Sequence, residues 1–109
     1  METVAAFVAF RKRNGIREIM FLRAKDMYYF MFPQAAATDN LTPLGTVNGH
    51  TPDGRILIMH LYEGEPDVRL LQSQDHHWMD KTTVRLNASA MTTMTLDHVL
   101  PYLEDRGLW

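Results

Sequence analysis

Thr3-Val4-Ala5-Ala6-Phe7-Val8-Ala9-Phe10-Arg11-Lys12-Arg13-Asn14-Gly15-Ile16-Arg17-Glu18-Ile19-Met20-Phe21-Leu22 is the stretch on which the fold turns. Two runs rich in Val, Ala, Ile and Phe flank Asn14-Gly15, the residue pair that best tolerates the two positive φ angles of a type I′ turn. The segment is therefore expected to be a β-hairpin. Its basic residues then sit on a projecting tip, where they are either simply solvated or available to a phosphate.

Reading onward, Met27-Tyr28-Tyr29-Phe30-Met31-Phe32 is apolar at both parities, a strand that needs cover on both faces, and Pro33 withdraws a backbone donor and ends it. Residues 34–43 form a connector too short for an amphipathic helix. Leu44 to His50 and Arg55 to Tyr62 read as a second hairpin around Thr51-Pro52-Asp53-Gly54, whose Pro-Asp-Gly presets a tight turn. The acidic loop 63–67 leads into a further strand over roughly Val68 to Met79. Asp80 is placed to cap a short helix from Lys81, and Thr95 a last helix that Gly107 ends. Leu96, Val99, Leu100 and Leu103 follow the i, i+3, i+4, i+7 spacing of a buried stripe. Pro101 interrupts it and predicts a kink or a start nearer Leu100.

These elements fit one domain over 1–109, and composition agrees. The 109 residues are 46% hydrophobic and 22% charged, as in an ordinary globular chain. No apolar run reaches the roughly 18 residues of a bilayer span, and Met1-Glu2-Thr3-Val4 lacks a basic leader, so a cytoplasmic protein without membrane contact is expected. The absence of cysteine excludes disulfides, thiolate metal sites and cysteine nucleophiles. The formal net charge is −2, unevenly spread. Residues 1–25 hold six basic side chains against Glu2 and Glu18, and the remainder holds five against eleven acidic ones. That overall sign argues against whole-molecule steering toward DNA.

The parts of familiar chemistries are missing. His76 and His77 are strand neighbours and point to opposite faces, so they cannot share an ion. His50 and His60, on the two arms of the second hairpin, are placed to face each other but have no third ligand. His98 stands beside Asp97 without a serine or cysteine elbow and reads as a surface or capping residue. Glu63, Glu65 and Asp67 lie on a solvated loop, too free to cage a hard cation. The methionines read as core filler. No phosphate-binding Gly-x-x-x-x-Gly-Lys loop occurs.

The order of hairpin, aromatic strand ending at Phe32-Pro33, connector, second hairpin, strand closing on Trp78-Met79-Asp80 and Leu-rich last helix resembles the Nudix (MutT-like) superfamily. Val4-Ala5-Ala6-Phe7-Val8, Ile19-Met20-Phe21-Leu22-Arg23-Ala24, Tyr29-Phe30-Met31-Phe32-Pro33-Gln34 and Asp39-Asn40-Leu41-Thr42-Pro43-Leu44 are similar to the C-terminal domain of MutY-type adenine DNA glycosylases. So are His50-Thr51, Leu57-Ile58 and the helix with Val99-Leu100 and Leu103. The resemblance implies an α+β fold: a Nudix-like, twisted mixed sheet of five or six strands with one or two helices.

Two departures from the pattern shape the functional expectation. The Nudix motif Gly-x5-Glu-x7-Arg-Glu-x-x-Glu-Glu-x-Gly, which sets several carboxylates on one helix to hold magnesium, has no counterpart here. Its place after Pro33 holds only the connector with Asp39. The expectation is a non-enzyme without a cofactor or metal. In the glycosylase domain a Phe-Ser-His loop touches the oxidised guanine, whereas Pro52-Asp53-Gly54 follows His50-Thr51 here. Asp53 retains an acceptor for a guanine edge. The resemblance then implies a binding module for a nucleotide or a DNA base, with Arg23, Gln34, His50, Thr51, Asp53 and Arg55 as ligand-binding residues. Loss of the helix is also expected to bare an apolar sheet face, with Phe7, Met20, Tyr29 and Met31 at a two-fold homodimer interface. The alternative is a protein-interaction module without a small-molecule site.

Overall fold

A computed structural model of the protein describes residues 1–30 and 41–109, with Leu70 described by its backbone only. Among these residues the chain forms β1 (Glu2–Val8), β2 (Phe10–Arg13), β3 (Ile16–Ala24), β4 (Met27–Tyr29), β5 (Thr42–His50), β6 (Ile56–Glu63), α1 (Val68–Ser73), β7 (His76–Met79), α2 (Lys81–Leu86) and α3 (Leu100–Asp105). A 3-10 turn (Ala88–Ala90) follows α2, and a π-helical turn (Met94–Val99) runs directly into α3. The architecture is α+β.

The first hairpin forms where its turn predicts, with Asn14 at φ 51° and Gly15 at φ 77°. Only β2 serves as its first arm, however. The run 3–10 divides at Ala9, and the two pieces enter different sheets. β1 pairs in parallel with β6, from Glu2 opposite Leu57 to Val8 opposite Glu63, and β5 lies antiparallel on the other edge of β6. The second sheet is built around β3. Ile19 has Phe10 on one side and Met79 on the other, and Leu22 has Tyr29 and His76. Thus β2 and β4 share one edge of β3 while β7 occupies the other. A strand paired on both edges and covered on both faces has no exposed parity, which accounts for the consecutive burial of Ile19, Met20 and Phe21.

The expected single sheet of five or six strands is therefore seven strands in two sheets among the described residues, three in one and four in the other. The expected long strand over Val68 to Met79 is also corrected, because its first half is α1. Asp67 caps it, accepting from the Arg69 backbone N–H at 2.9 Å, so one member of the acidic loop starts a helix. As predicted, Asp80 caps α2, its Oδ1 accepting from the Thr83 N–H and hydroxyl at 2.8 Å each. The last helical segment begins before Thr95, with the Thr92 hydroxyl accepting from the Thr95 N–H at 3.2 Å. It ends at Gly107 (φ 73°), where the Leu108 N–H returns to the Leu103 carbonyl at 2.9 Å.

The main core lies between the sheets and under α2 and α3, with Val8, Ile19, Phe21, Leu61, Val99 and Leu103 at its centre. Because β1 alternates, Phe7 and Ala9 point the other way and form a second cluster with Met20. Leu71 of α1, Trp78 and Leu41 cover this cluster. Phe7 and Met20 are each 1% exposed, so the bare face expected to support a dimer is closed at both positions. The unforeseen helix α1 is the physical reason. Tyr29 remains on the surface, and Met31 lies outside the described residues, as does most of the connector. No helix among the described residues is long and apolar enough to cross a membrane.

Candidate functional site: a cleft between the sheets and the last helix

A cleft of about 850 Å³ opens where the first half of the β1–β6–β5 sheet approaches the β3–β4 hairpin and the start of the last helical segment. Small-molecule sites commonly enclose about 300–1,000 Å³. Its walls are mainly apolar, with Leu57 and Met59 from β6, Phe30 after β4, and Met91 and Met94 from the approach to the helix. Polar side chains interrupt them. Arg23 comes from near the end of β3, His50 from the end of β5 with Thr51 just after it, Gln74 from the loop after α1, and His98 from the π-turn. Thr92, Thr93 and Thr95 join them on the approach to the helix.

Backbone requirements bring these elements together. Gly49 of β5 lies beneath the helix, and a Cβ there would fall 2.4 Å from Met94 Sδ and 2.9 Å from His98 Cδ2. The missing side chain leaves room for the π-turn this close to the sheet, and that approach places His98 on the cleft wall. Arg23 is anchored through its backbone, whose N–H donates to the Asp75 carbonyl at 2.9 Å. Its guanidinium lies 3.5 Å from the exposed Asp26 carboxylate and 5.6 Å above the Tyr28 ring.

The predicted ligand-binding residues separate into groups. Arg23, His50 and Thr51 line the cleft together. Asp53 and Arg55 do not, because the turn closes on itself: Asp53 accepts from the Thr51 hydroxyl and from the Arg55 guanidinium, and Arg55 also reaches Glu2 at 2.9 Å. These hydrogen bonds, the Thr51 hydroxyl first, hold the Asp53 carboxyl below its ordinary value of 3.8. The acceptor expected for a base edge is thus occupied within its own turn. Gln34 lies outside the described residues.

The other histidines do not converge. His50 stands opposite Ile56, and His60 stands opposite Thr46, whose hydroxyl is 3.0 Å from His60 Nδ1. That register corrects the expected His50–His60 pair. His76 and His77 diverge as the strand period requires; the His77 ring meets Tyr28 edge-on at 5.4 Å, and its Nε2 lies 2.9 Å from Asp75 Oδ1 but out of line for a hydrogen bond. No cluster of three metal-ligating side chains occurs among the described residues.

The basic hairpin tip is a separate place. Arg11 is held by Glu18 at 2.7 Å and lies over Trp78, and Arg17 donates to the Leu108 carbonyl at 3.0 Å. Ile16 and Arg23 mark opposite ends of β3, about 23 Å apart at the usual strand rise. A single mononucleotide cannot touch both.

The chain matches no protein-family model and no curated protein. The geometry of the cleft therefore carries the functional argument. Sequence reasoning missed Gln74, His98 and the methionines as cleft residues. The available signal was the alternation Gly45-Val47-Gly49 on one face of a strand, which marks where a helix can descend.

Proposed function

We propose that this protein is a non-catalytic binding module, Nudix-like in fold, whose cleft takes a nucleotide or a modified base. The observation that carries this reading is the cleft itself, where Arg23, His50 and Thr51 border an apolar wall sized for a small molecule. Thioether and aromatic walls suit the faces of a flat heterocycle, and a few hydrogen-bonding groups at the margin suit its polar edges. Support for the fold comes from the element order: hairpin, β4, second hairpin, β7 closing at Met79, then the Leu-rich last helix, with a parallel pair inside a mixed sheet. Support for a non-catalytic role comes from the sequence, which lacks the carboxylate-rich motif of the hydrolases.

The protein-interaction alternative depended on an uncovered sheet face, and Leu71 and Trp78 cover it at Phe7 and Met20. The binding reading is tested by thermal unfolding with nucleoside monophosphates, 8-oxoguanine nucleoside and oligonucleotides carrying that base. A ligand at 100 times its Kd adds about 2.7 kcal/mol to stability. A rise in Tm that disappears when His50 is replaced by Ala supports the proposal. An unchanged Tm throughout the panel refutes it.

A further inference from the structure

We infer that the ligand of this cleft bears an anionic group, held by Arg23 together with the imidazoles of His50 and His98, and that it binds without a divalent cation. The inference rests on the reading of the cleft as a binding site and adds the charge of its occupant. Acidic side chains number 13 among the 109 residues, yet none belongs to the described lining. That lining instead contributes one guanidinium and two imidazoles, on β3, β5 and the π-turn respectively. Three separate elements thus bring donors to one concavity. A guanidinium is permanently charged, and each imidazole has an N–H to donate in either protonation state.

Neighbouring carboxylates leave this arrangement intact. Asp53 and Glu2 are drawn to Arg55 on the outer side of the turn, and Asp75 lies beside His77. Asp26 touches Arg23 at 3.5 Å, but its side chain is 95% exposed, and water screens such a pair strongly. An incoming phosphate or carboxylate inside the cleft would meet the same guanidinium in a less polar setting, where a bidentate contact is stronger. A divalent ion that bridges a ligand's phosphates to a protein is typically anchored by one or two carboxylates, and the described lining offers none. A metal-free anion is the ligand chemistry that fits.

Phosphate and carboxylate share this chemistry, so the test uses both. Dissociation constants of guanosine, guanosine 5′-monophosphate and an aromatic carboxylate such as indole-3-carboxylate are measured by calorimetry, with EDTA and then with magnesium. The expected result is monophosphate binding in EDTA at least tenfold tighter than the nucleoside. Arg23→Gln should weaken the monophosphate roughly 10- to 100-fold and so narrow its advantage over the nucleoside, while Arg23→Lys recovers part of the loss. His98→Gln should lower the same preference, and far-ultraviolet circular dichroism confirms that each variant is folded. Equal affinity for nucleoside and monophosphate overturns the inference and leaves the nucleotide reading standing. Binding only with magnesium overturns it as well. Carboxylate binding that depends on Arg23, with no nucleotide binding, sustains the inference and removes the nucleotide reading. Failure of all three ligands removes both.

Discussion

The Tyr102 hydroxyl occupies the space that a side chain on Gly45 would need: a Cβ built there would lie 2.0 Å from that oxygen. The same hydroxyl donates to the Leu44 carbonyl at 2.9 Å. Leu44 is the extra residue of the bulge between Pro43 and Gly45, so its carbonyl has lost its place in the ladder and takes its hydrogen bond from the helix instead. Gly45 has φ 125°, a backbone that residues with a Cβ rarely adopt. Gly45→Ala is expected to cost about 2–4 kcal/mol from strain and overpacking combined. Tyr102→Phe should cost about 1 kcal/mol by leaving the bulge carbonyl unpaired. Urea midpoints check both, and the double variant should be less destabilised than the sum because the two changes share one contact.

Gly49 gives a different outcome because its φ is not positive. A methyl group at this position meets the flexible end of Met94 and the His98 ring. Gly49→Ala should therefore lose only about 1 kcal/mol of stability while displacing His98 from the cleft wall. The diagnostic result is a weakened ligand with a nearly unchanged urea midpoint. Unaltered affinity would show that His98 does not contribute to binding.

Phe7 distinguishes a core residue from an interface residue. It is 1% exposed within the single chain and packs with Ala9 and Met20 beneath Leu71 and Trp78. Phe7→Ala should cost about 3–5 kcal/mol through lost burial and the cavity left behind. That loss should be the same at micromolar and at hundredfold higher protein concentration, since Phe7 is buried within one chain. A concentration-dependent midpoint would instead support the expected homodimer.

Asp80 makes stability depend on pH. The Thr83 backbone N–H, and then the Thr83 hydroxyl, hold its carboxyl below the ordinary 3.8. A depressed folded-state value means that the unfolded chain takes up the proton first as pH falls. The contribution is fully present above about pH 4–5 and is lost as pH falls through the folded value. Asp80→Ala should lower the urea midpoint at pH 7 and flatten its decline into acid. Asp80→Asn, which keeps a capping acceptor but cannot ionise, should keep much of the pH 7 stability and show the same flattening.

Features encoded by neighbouring residues were legible in the sequence. Asn14-Gly15 and Thr51-Pro52-Asp53-Gly54 make their turns, Asp80 caps its helix, and Val99, Leu100 and Leu103 bury the stripe that their spacing predicts. What distant partners decide was hidden. The break at Ala9 follows from the parallel pairing of β1 with β6, some fifty residues away in sequence, and such a pairing leaves no local signature. Helix α1 was masked because Val68, Leu70 and Leu71 are apolar under either period, while the deciding hydrogen bond comes from Asp67. In the cleft, Arg23, His50 and Thr51 were marked by a resemblance. His98 read as a surface or capping residue, and its place on the cleft wall depends on how closely the helix approaches Gly49, a tertiary fact.

The π-turn over Met94–Val99 ends where α3 begins, with Pro101 in its first turn and the Leu100 N–H bonded five residues back to the Thr95 carbonyl. Such a turn holds one residue more than an α-helical turn would. The surplus residue sets the rotational phase between two stretches with different duties: Met94 and His98 facing the cleft, Tyr102 and Leu103 gripping the bulge and the core. Removing one residue here would rewind the segment and swing everything downstream by about 100°. The Tyr102 hydroxyl would then miss its carbonyl although every side chain was retained. Along this helix, length is a stricter inheritance than composition.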